Sequence, residues 1–217
     1  MAAQEFAVTL ERSTPHPLRD FRSGAAGRDQ NRPIREAQTR SDFLAATDAW
    51  SRLVRKVIRV SLRPILGIDP GVTGGIASLW PDGRIDAYDI PTVDGAVNVD
   101  ALVRHVRAHA PRLAIIERAQ AMPKQGVVST FKYGVAFGAL CAVTALCEIP
   151  TYLVSPRKWK THFGLDADKE KSRALAIRLW PGCGLFERKR DHGRSEAALL
   201  ARYGAEVIER RLPNDDL

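Results

Sequence analysis

Cysteine is scarce in this sequence and follows no recognisable spacing. The 217 residues contain three cysteines, Cys141, Cys147 and Cys183, which form no CxxC pair and cannot all be paired with one another. An odd count without paired spacing argues against both a disulfide framework and a zinc site. We therefore expect a protein of a reducing compartment, held together by a hydrophobic core for which the 45% hydrophobic content is sufficient.

Long apolar runs are also missing. No uninterrupted apolar segment approaches the roughly 18 residues of a membrane span, and the N-terminus lacks the apolar stretch of a secretory signal. The first part of the chain is rich in Arg, yet the acids Glu5, Glu11, Asp20 and Asp29 do not suit an organelle transit peptide. The sequence predicts no membrane partner and a cytoplasmic, nucleoid-associated location, with an organelle as the less favoured alternative.

Negative charge is in deficit. The sequence has 33 Lys and Arg against 25 Asp and Glu, which gives a net charge of +8 and a pI near 9.7. An excess of this size favours an anionic partner, and nucleic acid is the first candidate. A solvated basic surface without such a partner is the alternative that composition alone leaves open.

Composition divides the chain into three parts. Residues 1–41 are rich in Arg, Ser, Gly, Pro and Gln, which is typical of disordered segments. Residues 42–62 place apolar side chains at helical spacing with basic side chains between them, so they predict a basic amphipathic helix. This helix is expected to pack on the domain, with contact to DNA or no role as alternatives. Residues 63–212 form the predicted folded domain.

Strand and helix signals in that domain follow the order βββαβαβααα. The runs PILGID, GGIASLW and RIDAYDI are separated by turn signals and predict an antiparallel meander. A helix capped by Asn98 precedes the strand RLAIIE, a long helix over about 126–147 precedes the strand TYLV, and three helices follow, one of them capped by Asp168. This order predicts an α/β three-layer domain, with a mixed five-stranded sheet of three antiparallel and then two parallel strands, flanked by helices.

Two of the predicted strands end on a carboxylate. Asp69 follows ILGI, and Glu117 follows LAII. If these strands are neighbours, both carboxylates meet at one edge of the sheet, where unpaired like charges would be costly, so the pair implies a cation. The segment DHGRSEAALLA supplies a third acid, because His192 and Glu196 lie four residues apart on one helical face, with Asp191 adjacent.

Oxygen ligands of this kind select a hard cation, Mg²⁺ with Mn²⁺ as a substitute, rather than zinc. A strand-end Asp, a strand-end Glu and a helix-borne acid are the ligands that a two-metal phosphodiesterase requires, in which one ion activates water and the other stabilises the leaving oxygen. Taken singly, each acid is more often a cap or a salt-bridge partner. Taken together, in this order of strands, they predict a nuclease site.

Four segments resemble the signature regions of RuvC-type Holliday junction resolvases, in the RNase H-like or retroviral-integrase superfamily. They are ILGIDPGVTGGIA, AIIERAQAMPKQG, SPRKWKTHFGLDADKEKSRA and DHGRSEAALLA, and they extend from about Pro64 to Tyr203. The last segment is most similar to plant chloroplast resolvases and their phage or bacterial relatives. The resemblance implies an RNase H-like nuclease domain that works as a homodimer and cuts four-way DNA junctions by paired Mg²⁺-dependent nicks on opposite strands.

The resemblance also implies roles for single residues. Asp69, Glu117, His192 and Glu196 match the family's metal ligands, which would hold two ions per active site, and Asp191 is the alternative to His192.

The segments PRKWK and DKEKS align Lys160 and Lys171 with the family's two functional lysines, which would offset charge at the scissile phosphate. Solvated lysines on a helix are the alternative for both. The expected DNA contacts are Lys124, Gln125, Arg157, Lys158, Lys160, Lys169 and Lys171.

Two loops depart from the family pattern. The turn after Asp69 is shorter than in the commonest bacterial form. Its glycines are expected to leave room for the turn into the second strand, with close approach of a DNA backbone as the alternative. The loop after Glu117 has a different length and lacks the usual aromatic residue. This loop is expected to approach the centre of the junction, but its sequence does not predict how it holds the branch point open.

The long helix over 126–147 also carries residues of interest. Phe131 and Tyr133 are expected in the core, although a role at the junction is the alternative. Gly134 and Gly138, four residues apart, would allow the close helix approach that the resemblance places in the dimer interface.

Three other functions remain as alternatives. The segment GIDPGVTGG also resembles the first phosphate loop of actin-like ATPases, but that fold needs a second, similar half, and no second loop of this kind follows Leu79. A junction-binding protein without catalysis would lack one of the acids, all of which are present. An RNase H or transposase-like nuclease would differ mainly in its substrate.

Overall fold

The computed structural model describes residues 42–54, 62–118, 120 and 126–211. The chain divides into two compact units, Met1–Ala49 and Trp50–Leu217. Residues 42–54 form a helix, α1, whose side chains are mostly exposed. The predictions for residues 1–41 and for residues 55–61 lie outside the described residues.

The other helices and strands all belong to the second unit. In chain order they are β1 (Ile65–Asp69), β2 (Gly75–Leu79), β3 (Ile85–Asp89), β4 (Thr92–Val93), β5 (Ala96–Val97), α2 (Val99–His109), β6 (Leu113–Glu117), α3 (Val127–Leu146), β7 (Thr151–Val154), α4 (Pro156–His162), α5 (Lys169–Leu179) and α6 (His192–Tyr203). A 3₁₀ turn, Lys189–Asp191, leads into α6, which continues as a π-helical turn, Gly204–Ile208, and a 3₁₀ turn, Glu209–Arg211. The predicted order is confirmed, apart from the unpredicted hairpin β4–β5.

The predicted sheet topology is also confirmed. The five-stranded sheet has the order β3-β2-β1-β6-β7. β1 pairs antiparallel with β2, and β2 with β3, whereas β1 with β6 and β6 with β7 are parallel pairs. Both predicted caps are present: Asn98 accepts a hydrogen bond from the backbone N–H of Ala101, and Asp168 accepts one from Glu170.

Side-chain alternation along the central strands creates the three layers. Leu66 of β1 and Ile116 of β6 pack with α2 and α3 on one face of the sheet. Ile65 and Ile115 pack with α5 and α6 on the other face. Because successive side chains of a strand point to opposite faces, the strand-end residues of β1 and β6 point toward the α6 layer.

Helix α6 crosses the sheet unusually close to the strands. A Cβ atom at Gly67 would lie 2.0 Å from the carbonyl oxygen of Ala197, and one at Gly75 would lie 2.6 Å from the backbone nitrogen of Arg194. Side chains at these two strand positions would push the helix away. Gly75 therefore makes room for α6, a role that the sequence analysis did not predict.

Helix α3 corrects the expectation that no segment has the character of a membrane span. By length and composition alone, Val127–Leu146 could cross a membrane, and 22% of its 18-residue apolar stretch is buried. Polar residues, among them Ser129, Thr130 and Lys132, interrupt its apolar residues, so a search for uninterrupted runs overlooks it. Core helices of globular proteins can be equally long and apolar, so this feature is weak evidence for a membrane.

Candidate active site

The strand register places two carboxylates side by side. Ile68 of β1 is paired with Ile116 of β6. The next residue on each strand, Asp69 and Glu117, therefore stands at the carboxyl end of a parallel pair. Neighbouring strands lie about 4.8 Å apart, so both side chains lie close together at this edge of the sheet.

Helix α6 brings the third carboxylate to this region. Glu196 lies in its second turn and is 4% exposed. Its Oε1 accepts hydrogen bonds from Lys160 Nζ at 2.8 Å and from Ser172 Oγ at 3.3 Å. The start of the helix is anchored to the end of β3, because the Arg194 guanidinium donates two hydrogen bonds of 2.6 Å to Asp89.

The three carboxylates line one open cavity of about 760 Å³. Its wall also includes the β1–β2 turn and the first turns of α3, and its charged and aromatic side chains include Lys132, Tyr133, Lys160 and Lys169. A cavity of this size, open to solvent and lined by both acids and bases, can admit a phosphodiester backbone.

Burial, followed by repulsion among the carboxylates, dominates the electrostatics of this cavity. Burial raises the pKa of Asp69 well above its ordinary value, and the charges of Glu196 and Glu117 raise it further. Burial also raises the pKa of Glu117, against the lowering effect of a hydrogen bond from Trp159. Burial raises the pKa of the Tyr133 hydroxyl, and the same three carboxylates add to this shift. The site therefore favours the arrival of positive charge.

Lysine placement agrees with the sequence for one residue and differs for another. Lys160 contacts Glu196, as described above. Lys169 lines the cavity, and its charge lowers the pKa of both Asp69 and Glu117. Lys171 is instead paired with Asp166 at an exposed position, because it lies two residues further along α5 and hence about 200° around the helix from Lys169.

The other predicted DNA contacts lie away from the carboxylates or outside the described residues. Arg157 and Lys158 are exposed on α4, and Lys158 lines a separate open groove of about 660 Å³ with His162 and Arg210. Lys124 and Gln125, in the loop after Glu117, lie outside the described residues.

His192 and Asp191 occupy different environments at the start of α6. Asp191 is 1% exposed and accepts hydrogen bonds from both the backbone and the guanidinium of Arg188. Burial raises the pKa of Asp191, but the bonds from Arg188 leave it below its ordinary value. His192 is partly exposed, with Nδ1 at 3.1 Å from the carbonyl of Arg190. Of the described residues, those that line the carboxylate cavity include neither side chain.

Two of the three aromatic residues of α3, Phe131 and Tyr133, are not in the core. Phe131 is 71% exposed, and Tyr133 lines the carboxylate cavity with its ring next to Gly71. The expectation of core packing is therefore wrong for both, since α3 turns this part of its surface to solvent.

The donor set suits a hard divalent cation. All three acids offer carboxylate oxygens, which Mg²⁺ and Mn²⁺ prefer. Within the described residues, no three Asp, Glu, His or Cys side chains are already gathered closely enough to hold one ion. Two of the carboxylates instead accept hydrogen bonds from neighbouring donors, Glu117 from Trp159 and Glu196 from Lys160.

Sequence reasoning missed two residues that contact the acids. Trp159 donates its indole N–H to Glu117, and Ser172 donates its hydroxyl to Glu196. Lys169, Ser172 and Ala176 recur at helical spacing on α5, and this pattern could have separated the site-facing Lys169 from Lys171. Trp159 has no comparable signal, because Glu117 is 42 residues away in the chain.

Comparison with known proteins locates the fold. No protein-family model matches the chain, and no curated protein matches its sequence. Among solved structures, RuvC from Thermus thermophilus superposes with a TM-score of 0.50 at 17% identity, covering 67% of this chain and 96% of that one. T. thermophilus RuvC in complex with a Holliday junction substrate gives 0.47 at 18% identity, covering 66% and 94%. The yeast mitochondrial Holliday junction resolvase Ydc2 gives 0.38 at 17% identity, covering 74% and 90%.

At these identities the likeness concerns the fold alone. The chain has the RNase H-like α/β fold seen in RuvC, with the mixed five-stranded sheet flanked by helices.

Proposed function

We propose that this protein is a divalent-metal-dependent endonuclease that resolves four-way DNA junctions. The observation that carries the proposal is the convergence of Asp69, Glu117 and Glu196 on one open cavity, from two parallel strand ends and a crossing helix. Carboxylates that raise the pKa of one another need a cation to remain charged together. The sequence motifs around these acids and the RuvC-like fold support a nuclease over other uses of such a site.

The three carboxylates are the proposed ligands for two Mg²⁺ or Mn²⁺ ions. When bound, such ions activate a water for attack on phosphorus and stabilise the leaving oxygen. His192 is the proposed fourth ligand in preference to Asp191, because Asp191 is buried and already bonded to Arg188. A hydrogen bond from Nδ1 of His192 to the carbonyl of Arg190 would leave Nε2 as the ligand atom.

Two lysines are proposed to contact the scissile phosphate. Lys160 and Lys169 both line the cavity that the carboxylates share. Ammonium groups at these positions would hold the phosphate against the repulsion of the acids and offset the negative charge that develops during attack. Lys158 and Arg157, exposed on the same helix as Lys160, would contact the backbone further along the DNA.

A homodimer is part of the proposal, because opposite strands of a junction need two active sites. The outer face of α3 is apolar and exposed, and its members are Val127, Val128, Phe131 and Val135. Added Cβ atoms at Gly134 and Gly138 would meet only open space, so another helix could approach closely there. A second copy of α3 is the proposed occupant of this face.

Sedimentation of the full chain tests the dimer. Phe131→Glu places a charge in the proposed interface and should yield a monomer, whereas Leu179→Glu on α5 should leave the dimer intact. A monomeric wild-type chain, or a dimer that tolerates Phe131→Glu, would contradict the assignment. Detergent-dependent recovery of the wild-type chain would instead indicate that α3 enters a membrane.

The substrate is tested by a gel assay with labelled nucleic acids. A four-way junction, a linear duplex of the same sequence and an RNA–DNA hybrid are incubated with the protein in Mg²⁺ or in EDTA. We expect symmetric nicks in the junction, in Mg²⁺ only. Equal cutting of the duplex would contradict junction selectivity, and preferred cutting of the hybrid would indicate an RNase H-type nuclease. Binding of ATP without nicking would favour the actin-like alternative.

A further inference from the structure

One buried indole side chain is bonded to one of the site's carboxylates and contacts the lysine that is bonded to another. Trp159 lies on α4 with no exposed surface, inside the core layer beneath α6. Its Nε1–H donates a 2.7 Å hydrogen bond to Oε2 of Glu117. The ammonium of Lys160 lies over the same ring, 5.1 Å from its centroid, and in turn donates a hydrogen bond to Glu196.

The edge contact restricts the Glu117 side chain. An indole N–H is a donor only and stays neutral at every accessible pH, so it orients a carboxylate without neutralising it. It occupies one of the two oxygens and leaves the other for a further partner. A hydrogen bond to a charged acceptor inside a protein is also stronger than one between neutral groups.

The face contact restricts Lys160. Cations within about 6 Å of an indole centroid are attracted by the ring's quadrupole, most strongly when they are removed from water. The Lys160 side chain is 16% exposed, so the ring limits where its ammonium can lie. The chain of contacts therefore runs from Glu117 through Trp159 and Lys160 to Glu196.

Filling the core does not by itself require this arrangement. Trp180 also donates its indole N–H, but to the backbone carbonyl of Gly83 at 3.1 Å. Trp80 donates to a carboxylate, Asp86, outside the cavity. Trp159 differs from both in that its acceptor is one of the cavity carboxylates.

We infer that Trp159 is a positioning residue of the nuclease site: its N–H orients Glu117, and its ring face orients Lys160 toward Glu196. This inference rests on the proposed function, because it assigns to Trp159 the geometry of two groups that act on the metal ions and the phosphate. Groups that orient a metal ligand typically change metal affinity or activity by about 10- to 100-fold when they are removed.

Substitutions of Trp159 that remove the N–H bond to Glu117 with or without the ring contact to Lys160 test the inference. Trp159→Phe keeps an aromatic face beside Lys160 but removes the donor to Glu117, and Trp159→Leu removes both. Trp80→Phe is the matched control, because it removes an indole–carboxylate bond outside the site. In the full chain, Mg²⁺ affinity is read from the metal-dependent rise of Tm, and the single-turnover cleavage rate and the junction Kd are measured separately.

The expected pattern differs among the variants. Trp159→Phe should raise the Mg²⁺ concentration for half-maximal stabilisation about tenfold and lower the cleavage rate similarly, with an unchanged junction Kd. Trp159→Leu should weaken the Mg²⁺ response and the cleavage rate more than Trp159→Phe does. Trp80→Phe should match wild type in both measurements. A folded Trp159→Phe variant with a wild-type Mg²⁺ response and cleavage rate would overturn the role of the indole N–H bond to Glu117. Equal losses of Mg²⁺ response and cleavage rate in Trp159→Phe and Trp159→Leu would overturn the role of the ring face beside Lys160.

A spectroscopic test covers the case in which the Trp159 variants do not fold. In protein labelled with ¹⁵N-tryptophan, the Trp159 indole resonance should move on Glu117→Gln in EDTA and on addition of Mg²⁺ to wild type, while that of Trp80 should not. A Trp159 resonance that responds to neither change would overturn the inference. Failure of the proposed function has a different signature, since wild-type protein would then show neither nicking nor a Mg²⁺ response.

Discussion

Lys160 donates a 2.8 Å hydrogen bond to Glu196, and both side chains are largely buried, at 16% and 5% exposure. Among the described residues, the Lys160 ammonium is the charged donor that forms a hydrogen bond with a carboxylate of the site. Removal of one partner from a buried ion pair leaves an uncompensated charge and typically costs about 3–5 kcal/mol. The pair should therefore stabilise the metal-free protein as well as serve the proposed reaction.

A double-mutant cycle measures this coupling. In EDTA, Lys160→Ala should lower the free energy of unfolding by about 3 kcal/mol, and combination with Glu196→Gln should cost less than the sum of the single changes. Urea denaturation gives the values. Additive effects would show that the two groups do not interact. The control is Lys171→Ala, whose exposed pair with Asp166 should leave the unfolding curve nearly unchanged.

Asp69 should destabilise the metal-free protein at neutral pH. Its folded pKa is raised above the ordinary 3.8 by burial and by Glu196 and Glu117. The folded state then binds the proton more tightly than the unfolded state, so stability is greatest below that ordinary pKa and is lost as the pH rises through the folded pKa. Asp69→Asn should consequently raise Tm at neutral pH by a few degrees, at about 2–4 °C per kcal/mol.

The sign of this effect is checked by calorimetry across pH in EDTA. The advantage of Asp69→Asn should shrink as the pH falls toward 3.8. Mg²⁺ should stabilise wild type more than the variant, because the ion compensates the same repulsion. A variant that is less stable than wild type at neutral pH in EDTA would contradict the electrostatic description of the cavity.

Lys169 should matter more than Lys171 for cleavage. Lys169 lines the carboxylate cavity, and Lys171 is paired with Asp166 outside it. We expect Lys169→Ala to slow single-turnover cleavage about tenfold and to reduce the salt dependence of junction binding by about one unit of slope. Equal losses for Lys169→Ala and Lys171→Ala would contradict this placement.

The close crossing of α6 predicts a strict requirement for glycine at residue 67. An added Cβ atom would overlap the carbonyl oxygen of Ala197, so Gly67→Ala should cost about 3 kcal/mol or prevent folding. Gly126→Ala is the control, because a Cβ there meets nothing within 4 Å. Thermal unfolding distinguishes them, and a Gly67→Ala variant as stable as wild type would contradict the observed packing.

Strand and helix patterns are sufficient to predict much of this fold and two of its acids. Asp69 and Glu117 each end a short apolar run, so their position at strand ends follows from local sequence. Their proximity follows once β1 and β6 are neighbours in a parallel pair. The hairpin β4–β5 was missed because its strands are only two residues long, although Asp94-Gly95 at its turn is a recognised hairpin signal.

Contacts between segments that are distant in the chain could not be predicted from the sequence. The bond from Trp159 to Glu117 depends on how α4 packs against β6, and no local pattern encodes that packing. Lys171 was chosen over Lys169 by alignment of a motif, whereas the phase of α5 decides which lysine faces the cavity. Phe131 was expected in the core because an aromatic residue usually is, yet its exposure depends on what covers α3.

Single-turnover cleavage of a labelled four-way junction by saturating protein tests the central claim most directly. Asp69→Asn, Glu117→Gln and Glu196→Gln are compared with wild type in Mg²⁺, and junction binding is measured in parallel in Ca²⁺. The three-carboxylate site predicts that wild type nicks the junction, and that each variant binds it but cleaves at least about a hundredfold more slowly, a loss of about 2.7 kcal/mol in transition-state stabilisation. A wild-type cleavage rate in any one of the three variants would contradict it.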